Sequence, residues 1–399
     1  MAWRNVWRNS RRTGAAIAAT SLGLLAMIFY SGLAAGYIGG MEKNILNLEM
    51  GDVQVFHPEF RETQSIHDRI DAPAEILAQL DAEGLPASAR LLGSGLAAAG
   101  DSSSGVSLRG IDVARDATVS EINTHIDKGE WLDEAKPSEV VIGRRLARML
   151  GVDLGDEIVV LSQGADGSSA NDLYTVRGVL KSVGDAVDRG GIFMVDAAFR
   201  ELMVVPEGVH QIIVRRGDST LEAASASVVG ATGELEAKTW RELNPTLASM
   251  LDSSRGAMTM MFVIVYMAIG IVILNSMLMT VFERIREFGV LKALGVGPGG
   301  VMKLILLETM FQTAVAIIIG VTLSIPVNMY MVNTGFDMRA LMGDTTVMGV
   351  AMDPIWRSVV TVDTYVQPIV TLVVIIAFAV IYPALRAAFI RPIEAMHSQ

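Results

Sequence analysis

Gly256-Ala257-Met258-Thr259-Met260-Met261-Phe262-Val263-Ile264-Val265-Tyr266-Met267-Ala268-Ile269-Gly270-Ile271-Val272-Ile273-Leu274-Asn275-Ser276-Met277-Leu278-Met279-Thr280-Val281-Phe282 is a run of 27 residues without a charge. A short charged and glycine-punctuated piece follows at once, Glu283-Arg284-Ile285-Arg286-Glu287-Phe288-Gly289-Val290-Leu291-Lys292-Ala293-Leu294-Gly295, and a second apolar segment leads on past Glu308. As a helix the first run covers about 40 Å, enough to cross a bilayer with tilt. The polar piece is therefore expected at one membrane face, too short to fold alone and too patterned for a mere linker. It reads as a handle by which another protein moves the membrane helices.

Working outward, three more segments lack charge over bilayer-spanning lengths: Thr13–Met41, Thr309–Phe336 and Thr364–Leu385. The intervening Glu42–Arg255 holds 35 acidic and 20 basic residues. The chain thus reads as a membrane protein with one large extramembrane domain rather than a uniformly acidic soluble protein. The basic residues set an orientation. Residues 1–12 carry Arg4, Arg8, Arg11 and Arg12 without an acid, and 283–303 carries four bases against two acids. The 337–363 loop has four acids against two bases. The positive-inside rule places both termini and 283–303 in the cytoplasm, and the large domain and 337–363 outside. The expected divisions are 1–12, an interfacial helix with Trp3 and Trp7 on one side; 13–41, the first membrane helix; 42–255, the outer domain; 256–282, the second helix; 283–303, the cytoplasmic loop; 304–336, the third helix; 337–363, an outer loop; 364–385, the fourth helix; and 386–399, a cytoplasmic tail. The first apolar stretch is too long for a cleaved signal core, so it is expected to be retained.

Gly32, Gly36 and Gly40 repeat every four residues along the first helix, a stripe for close helix approach, either to a second subunit or within the chain. The outer domain alternates strand and helix patterns and is expected to be a mixed α+β domain of two lobes, without internal repeats. Expected strands include 52–56, 105–111, 139–142, 192–195 and 209–215, with a hairpin of 157–161 and 174–180 joined by the polar connector Ser162–Leu173. Expected helices are 73–83, 144–150, 196–203, 220–229 and 240–251, the last leading into the membrane.

Several chemistries are excluded. There is no cysteine, hence no disulfide or thiolate metal site. The dipeptide Gly-Lys occurs nowhere, so there is no ATP-binding loop, and no serine stands in a Gly-x-Ser-x-Gly turn. The five histidines show no metal-ligand spacing; His57 and His67 read as surface residues. Arg144, Arg145 and Arg148 read as a solvated helix face, and an acidic outer domain argues against nucleic acid. Mid-membrane charges are almost absent, which argues against an ion-coupled carrier. Glu308, near the inner edge and within a turn or two of Lys303, is expected to meet water or a partner.

A membrane protein without a fuel site can borrow one. The run Glu283–Gly295, with Glu287, Gly289, Lys292, Ala293 and Gly295 and then Glu308, resembles the cytoplasmic loop of the permease superfamily that includes the macrolide exporter, the cell-division permease and the lipoprotein-releasing permeases. The closing Tyr382, Pro383, Ala384, Ala387, Pro392, Ile393 and Ala395 resemble its C-terminal signature. The resemblance implies a type VII ABC transporter permease: four membrane helices plus a large periplasmic α+β domain with porter-like and Sabre-like lobes. It implies two copies of a separate ATPase that binds ATP and Mg, and a second permease, identical or related. The short loop would be the coupling element, with Glu283, Arg284, Arg286, Glu287, Gly289, Lys292 and Gly295 facing the ATPase. Gly51–Val55, Leu108–Asp112, Val141–Gly143, Tyr174–Val179 and Met194–Asp196 look most like the lipoprotein-releasing permeases of the bacterial inner membrane. That implies a lipoprotein substrate, acyl chains entering from the membrane lipids between helices one and two, and Tyr30, Leu33, Tyr37, Met41, Met258, Met261, Phe262 and Val265 as lining residues. A periplasmic lipoprotein carrier serves that subfamily, docking on a proline-bearing hairpin; here Ser162–Leu173 is short and lacks proline. The alternatives are a macrolide or peptide efflux permease with an adaptor and outer-membrane duct, and a signalling permease that regulates a cell-wall hydrolase.

Overall fold

The computed structural model describes residues 10–337, 346–347, 350–351 and 355–389. Residues 1–9, with Trp3, Trp7, Arg4 and Arg8, most of the 338–354 loop, and Pro392, Ile393 and Ala395 lie outside the described residues. Two compact units emerge, one drawn from Met1–Gly39, Leu251–Leu341 and Pro354–Gln399, the other from Gly40–Met250 and Met342–Asp353.

Among the described residues four helices are long and apolar enough to cross a membrane: Ser10–Ile45, Pro245–Glu283, Pro298–Asn333 and Val362–Phe389. Each overruns the uncharged stretch within it by several residues, because backbone hydrogen bonding continues through charged turns that water can solvate. In the first unit small residues set the approach distances. A Cβ at Gly23 would stand 2.5 Å from Ile269, one at Gly270 2.9 Å from Ile375, and one at Gly320 3.0 Å from the Ser21 carbonyl. Dispersion between closely packed backbones holds such bundles, since lipid leaves no hydrophobic gain on association. Ser21 Oγ lies 3.1 Å from Ala316 O, and Tyr266 donates to the Pro368 carbonyl at 2.9 Å. Leu24, Tyr266 and Leu372 form the fully buried centre.

The glycine stripe meets something other than a helix. A Cβ at Gly36 would fall 1.9 Å from Arg357 O, one at Gly32 2.3 Å from Ser358 Oγ, and the Val359 amide donates to Gly32 O at 3.0 Å. Gly32 and Gly36 thus receive the extended segment that precedes the fourth helix. Nothing lies within 4 Å of a Cβ at Gly40.

The second unit is built on a ten-stranded mixed sheet. Its strands are β1 (Val53–Phe56), β2 (Ala87–Ala99), β3 (Ser102–Ile111), β4 (Ile126–Gly129), β5 (Glu139–Ile142), β6 (Glu157–Gln163), β7 (Ser169–Leu180), β8 (Gly191–Val195), β9 (Gln211–Val214) and β10 (Glu236–Thr239). The order is β10-β1-β9-β2-β3-β8-β5-β7-β4, with β6 bridging β2 and β7, and the β3–β8 and β5–β7 pairs parallel. The expected lobes share this sheet and one buried cluster, which includes Leu91, Phe193, Phe199 and Ile212. Helix Asp196–Met203 buries Ala198, Phe199, Leu202 and Met203, a single face at helical spacing. Phe199 packs closely on the sheet because Gly110 and Gly93 leave room: Cβ atoms there would approach it to 2.5 and 3.1 Å.

Three expectations change. β2, the longest strand, has no counterpart in the sequence reading, since its Ala, Ser and Gly carry little strand propensity. The connector between β6 and β7 shrinks to a tight turn at 164–168, whose Ala165 amide is tied to Met203 O at 2.8 Å. The helix expected over 240–251 breaks at Asn244, where Pro245 restrains the preceding residue and a new helix begins. A capping box, Thr239 with Glu242, starts the short piece.

Candidate functional site: a braced helix between two membrane helices

The Glu283–Gly295 run folds as a nine-residue helix, Ile285–Ala293, between the second and third long helices. Gly295 closes it at φ +96°, a conformation that disfavours any side chain, and its amide bonds back to Lys292 O at 3.0 Å. Gly297 and Pro298 then start the next helix, proline taking an early position where no amide is needed.

A helix this short is not stable alone in water. Packing holds it. Phe288, 1% exposed, belongs to the buried cluster that also contains Val281, Val301, Ile305, Ala384 and Ala387, so it joins the bundle's core. Arg284 supplies the second anchor. Its Nη1 donates to Glu308 Oε2 at 2.6 Å and its Nε to Glu287 Oε2 at 3.0 Å, while the guanidinium lies 5.2 Å over the Phe288 ring. The side chains of Arg284 and Glu308 are 12% and 8% exposed, so this pair is largely shielded from water. Such charge-assisted bonds between planar groups are directional as well as strong. Glu308 therefore turns to Arg284, 24 residues earlier, rather than outward near Lys303.

This geometry sorts the sequence-predicted residues. Glu283, Arg286 and Gly295 are exposed, Glu287 and Lys292 are half-buried, and Arg284 and Gly289 face inward. The outward stripe adds Val290, half exposed, and Leu294, 77% exposed, which the sequence reading did not single out. Both lie near the helix's solvent side, one turn apart, and the signal was present as apolar residues out of phase with Phe288. The chemistry on offer is a docking face: a basic residue, two aliphatic side chains, and a rigid attachment beneath.

The second predicted set is only partly gathered. Tyr30 stands edge-on to Phe262 at 5.8 Å, and Phe262 stacks on Tyr266 at 6.2 Å, with Val265 packed alongside. Tyr37 instead meets Trp356 at 4.7 Å. Leu33 and Met258 are half-buried, Met261 is 46% exposed, and Met41 is buried but falls outside the bundle's unit and its buried cluster. Tyr266 and Trp356 were missed; Tyr266 stood unmarked inside the uncharged run 256–282, and Trp356 lay in the 337–363 loop, where its only signal was aromatic character beside Arg357.

Outside the bundle, Arg145 pairs with Asp185, His57 is half-buried and His67 exposed. Among the described residues no three His, Asp or Glu side chains gather as a metal site.

Four membrane-length helices among the described residues, a braced turn helix and a large α/β domain make up the architecture of a membrane protein. An FtsX-like permease C-terminal family description matches residues 259–392, and a MacB-like periplasmic core domain matches 13–231. The chain belongs to this family of ABC transporter permeases. Among curated relatives, the lipoprotein-releasing system transmembrane protein LolC of Xylella fastidiosa is 25% identical over 307 residues, 72% of each chain. LolC of Neisseria meningitidis is 24% identical over 233 residues, 55% of this chain and 56% of that protein. Among solved structures, the periplasmic region of MacB from Actinobacillus actinomycetemcomitans aligns at 12% identity and TM-score 0.36, covering 49% of this chain and 92% of that one. The extracellular domain of the transporter YknZ aligns at 12% identity and TM-score 0.34, covering 46% and 92%.

Proposed function

We propose that this chain is the permease subunit of an ATP-driven complex that extracts lipoproteins from the bacterial inner membrane and passes them towards the outer membrane. The observation that carries the reading is the similarity to LolC proteins over 72% of the chain. In this reading the termini and the Ile285–Ala293 helix face the cytoplasm and the α/β domain faces the periplasm, as the basic residues argue. Two copies of a separate ATPase, which bind ATP and Mg, engage the outward stripe around Arg286, Val290 and Leu294. The Phe288 and Arg284–Glu308 anchors carry that motion to the second and third membrane helices. Acyl chains of the substrate enter beside Tyr30, Phe262 and Val265, an apolar aromatic cluster suited to lipid. The short turn at 164–168 is tied back to Met203, so carrier docking through this hairpin forms no part of the proposal.

A second reading, efflux of a macrolide or peptide with an adaptor, is favoured by the MacB-like match over 13–231. Conditional depletion in the host, together with any paralogue, separates the two. Accumulation of a tagged outer-membrane lipoprotein in the inner membrane supports extraction. Normal sorting with increased drug sensitivity moves the assignment to efflux. Charge reversal at Glu287 and Lys292 is expected to leave ATP hydrolysis in the complex but abolish release; full release by that double variant removes the coupling assignment.

A further inference from the structure

A cavity of about 420 Å³ opens within the α/β unit, apart from the residues given roles in coupling or lipid entry. Its floor is the β2–β3 ladder, where Leu92 pairs with Arg109 and Ser94 with Ser107. This is the face opposite Phe199, which packs against the intervening Gly93 and Gly110. The wall is the short helix Phe60–Thr63. Phe60 stacks on Phe56 at 6.0 Å and lies 5.4 Å from the His210 ring, and both phenylalanines are buried, which fixes the wall in place.

The lining has a one-sided charge. It holds Arg61 and Arg109 and no carboxylate, although 42–255 carries 35 acidic against 20 basic residues. Arg109 is held firmly. Its Nη1 donates to Ser107 Oγ at 2.9 Å, its guanidinium lies 5.3 Å over the Phe193 ring, and its Nη2 pairs with Glu49. Arg61 is freer. It stands 3.7 Å from Glu236 and donates no hydrogen bond among the described residues, since Lys238 already holds that carboxylate oxygen at 2.7 Å. Arg61, Arg109 and Lys238 are thus set against Glu49 and Glu236, which leaves one positive charge over. Cavities of about 300–1,000 Å³ with apolar walls and a few convergent polar groups are the usual form of a small-ligand site.

We propose that this cavity binds an amphipathic monoanion, its carboxylate on Arg109 and Arg61 and its apolar group against Phe56, Phe60 and Leu92. One surplus charge suits a carboxylate better than a phosphate dianion, and the planar guanidinium matches the two carboxylate oxygens. A polypeptide C-terminus ending in an apolar residue and a free small acid both present this chemistry. Glu49 is the competitor within the chain. It lies in the π-helical turn Leu46–Met50, which continues the helix Ser10–Ile45, and its carbonyl accepts from Arg90 Nη1 at 3.1 Å. Binding therefore exchanges one carboxylate for another on Arg109, beside the end of the first long helix.

The probes are N-acetyl-leucyl-phenylalanine and phenylbutyrate, each beside its neutral amide. They are titrated calorimetrically into the full chain in lipid nanodiscs, with empty nanodiscs as reference. Saturable binding of an acid without binding of its amide is expected. Tighter binding of the dipeptide acid assigns the site to a polypeptide end, and tighter binding of phenylbutyrate assigns it to a free acid. Arg61→Gln and Arg109→Gln should each weaken the acids about tenfold to a hundredfold, the range for hydrogen bonds to charged groups. Arg148→Gln, at an exposed position elsewhere in the domain, should leave them unchanged. Ser94→Trp fills the cavity from an exposed rim position without touching the Arg109–Glu49 pair, so it should abolish binding at an unchanged unfolding temperature. Glu49→Gln should tighten the acids about twofold to fivefold by removing the competitor. Equal affinity for acid and amide, no saturable binding of any probe, or full binding by Ser94→Trp overturns the site. Unchanged or weaker binding by Glu49→Gln overturns the exchange on Arg109. Every readout is binding to this chain alone, so it stands whichever cargo the permease moves.

Discussion

Arg284→Ala tests whether the turn helix is held as a rigid handle. The substitution removes both bonds from the guanidinium and its position over Phe288, and leaves the Glu308 carboxylate at 8% exposure without that cation. Breaking a buried pair from one side costs about 3–5 kcal/mol, because the remaining charge stays desolvated. Glu308→Gln keeps an acceptor for Arg284 and leaves the Glu287 bond, so the cost falls to about 1–3 kcal/mol. Glu287→Ala removes the more exposed partner and should cost about 0–1 kcal/mol. The helix has nine residues and cannot persist unsupported, so these differences should appear as local opening. Hydrogen–deuterium exchange of the 285–293 amides, in the full chain in lipid nanodiscs, reads it directly. Arg284→Ala should speed exchange roughly a hundredfold to several thousandfold, at tenfold per 1.4 kcal/mol. Glu308→Gln should fall between that variant and the parent. If Arg284→Ala exchanges like the parent, or Glu287→Ala matches Arg284→Ala, the buried pair is not what holds the helix.

His210 in the α/β domain is fully buried, its Nδ1 accepting from the Leu92 amide at 3.1 Å and its Nε2 facing Ile66 O at 3.1 Å, an arrangement that suits the neutral ring. Burial lowers its pKa to about 4, so its contribution is present above the unfolded value near 6.5 and is lost as pH falls towards 4; this amounts to about 3 kcal/mol. Protection of the β2 and β9 amides, taken against the intrinsic exchange rate at each pH, should therefore fall between pH 6.5 and 4.5 in the parent and much less in His210→Gln, and equal slopes would refute the assignment. Gly36→Ala should destabilise the bundle by about 1–3 kcal/mol through its clash with Arg357 O, while Gly40→Ala should be neutral or mildly stabilising. Thermal unfolding in detergent separates them, and equal shifts would remove the packing argument for Gly36.

Much of this molecule is legible in the chain. Bilayer-length runs without charge declare four helices, because a buried backbone in lipid must bond to itself and charges there are excluded. The Glu283–Gly295 run announces its own helix and turn, since Gly295 and Pro298 stop and restart the backbone by local sterics alone. Local rules could not say which side of that helix faces in. Arg284 and Glu287 look alike as charged neighbours, and only the fold brings Glu308 across 24 residues to claim Arg284. The same holds for β2, whose Ala, Ser and Gly become a strand by pairing with β3 across a two-residue turn and, far along the chain, with β6 and β9, and by admitting the equally distant Phe199. Gly32 and Gly36 repeat as if for a helix, yet receive Arg357–Val359, because a missing side chain admits whatever backbone the topology delivers. Periodicity and charge are properties of neighbours along the chain and determined the elements; partner choice is a property of neighbours in space, and only the tertiary structure decided it.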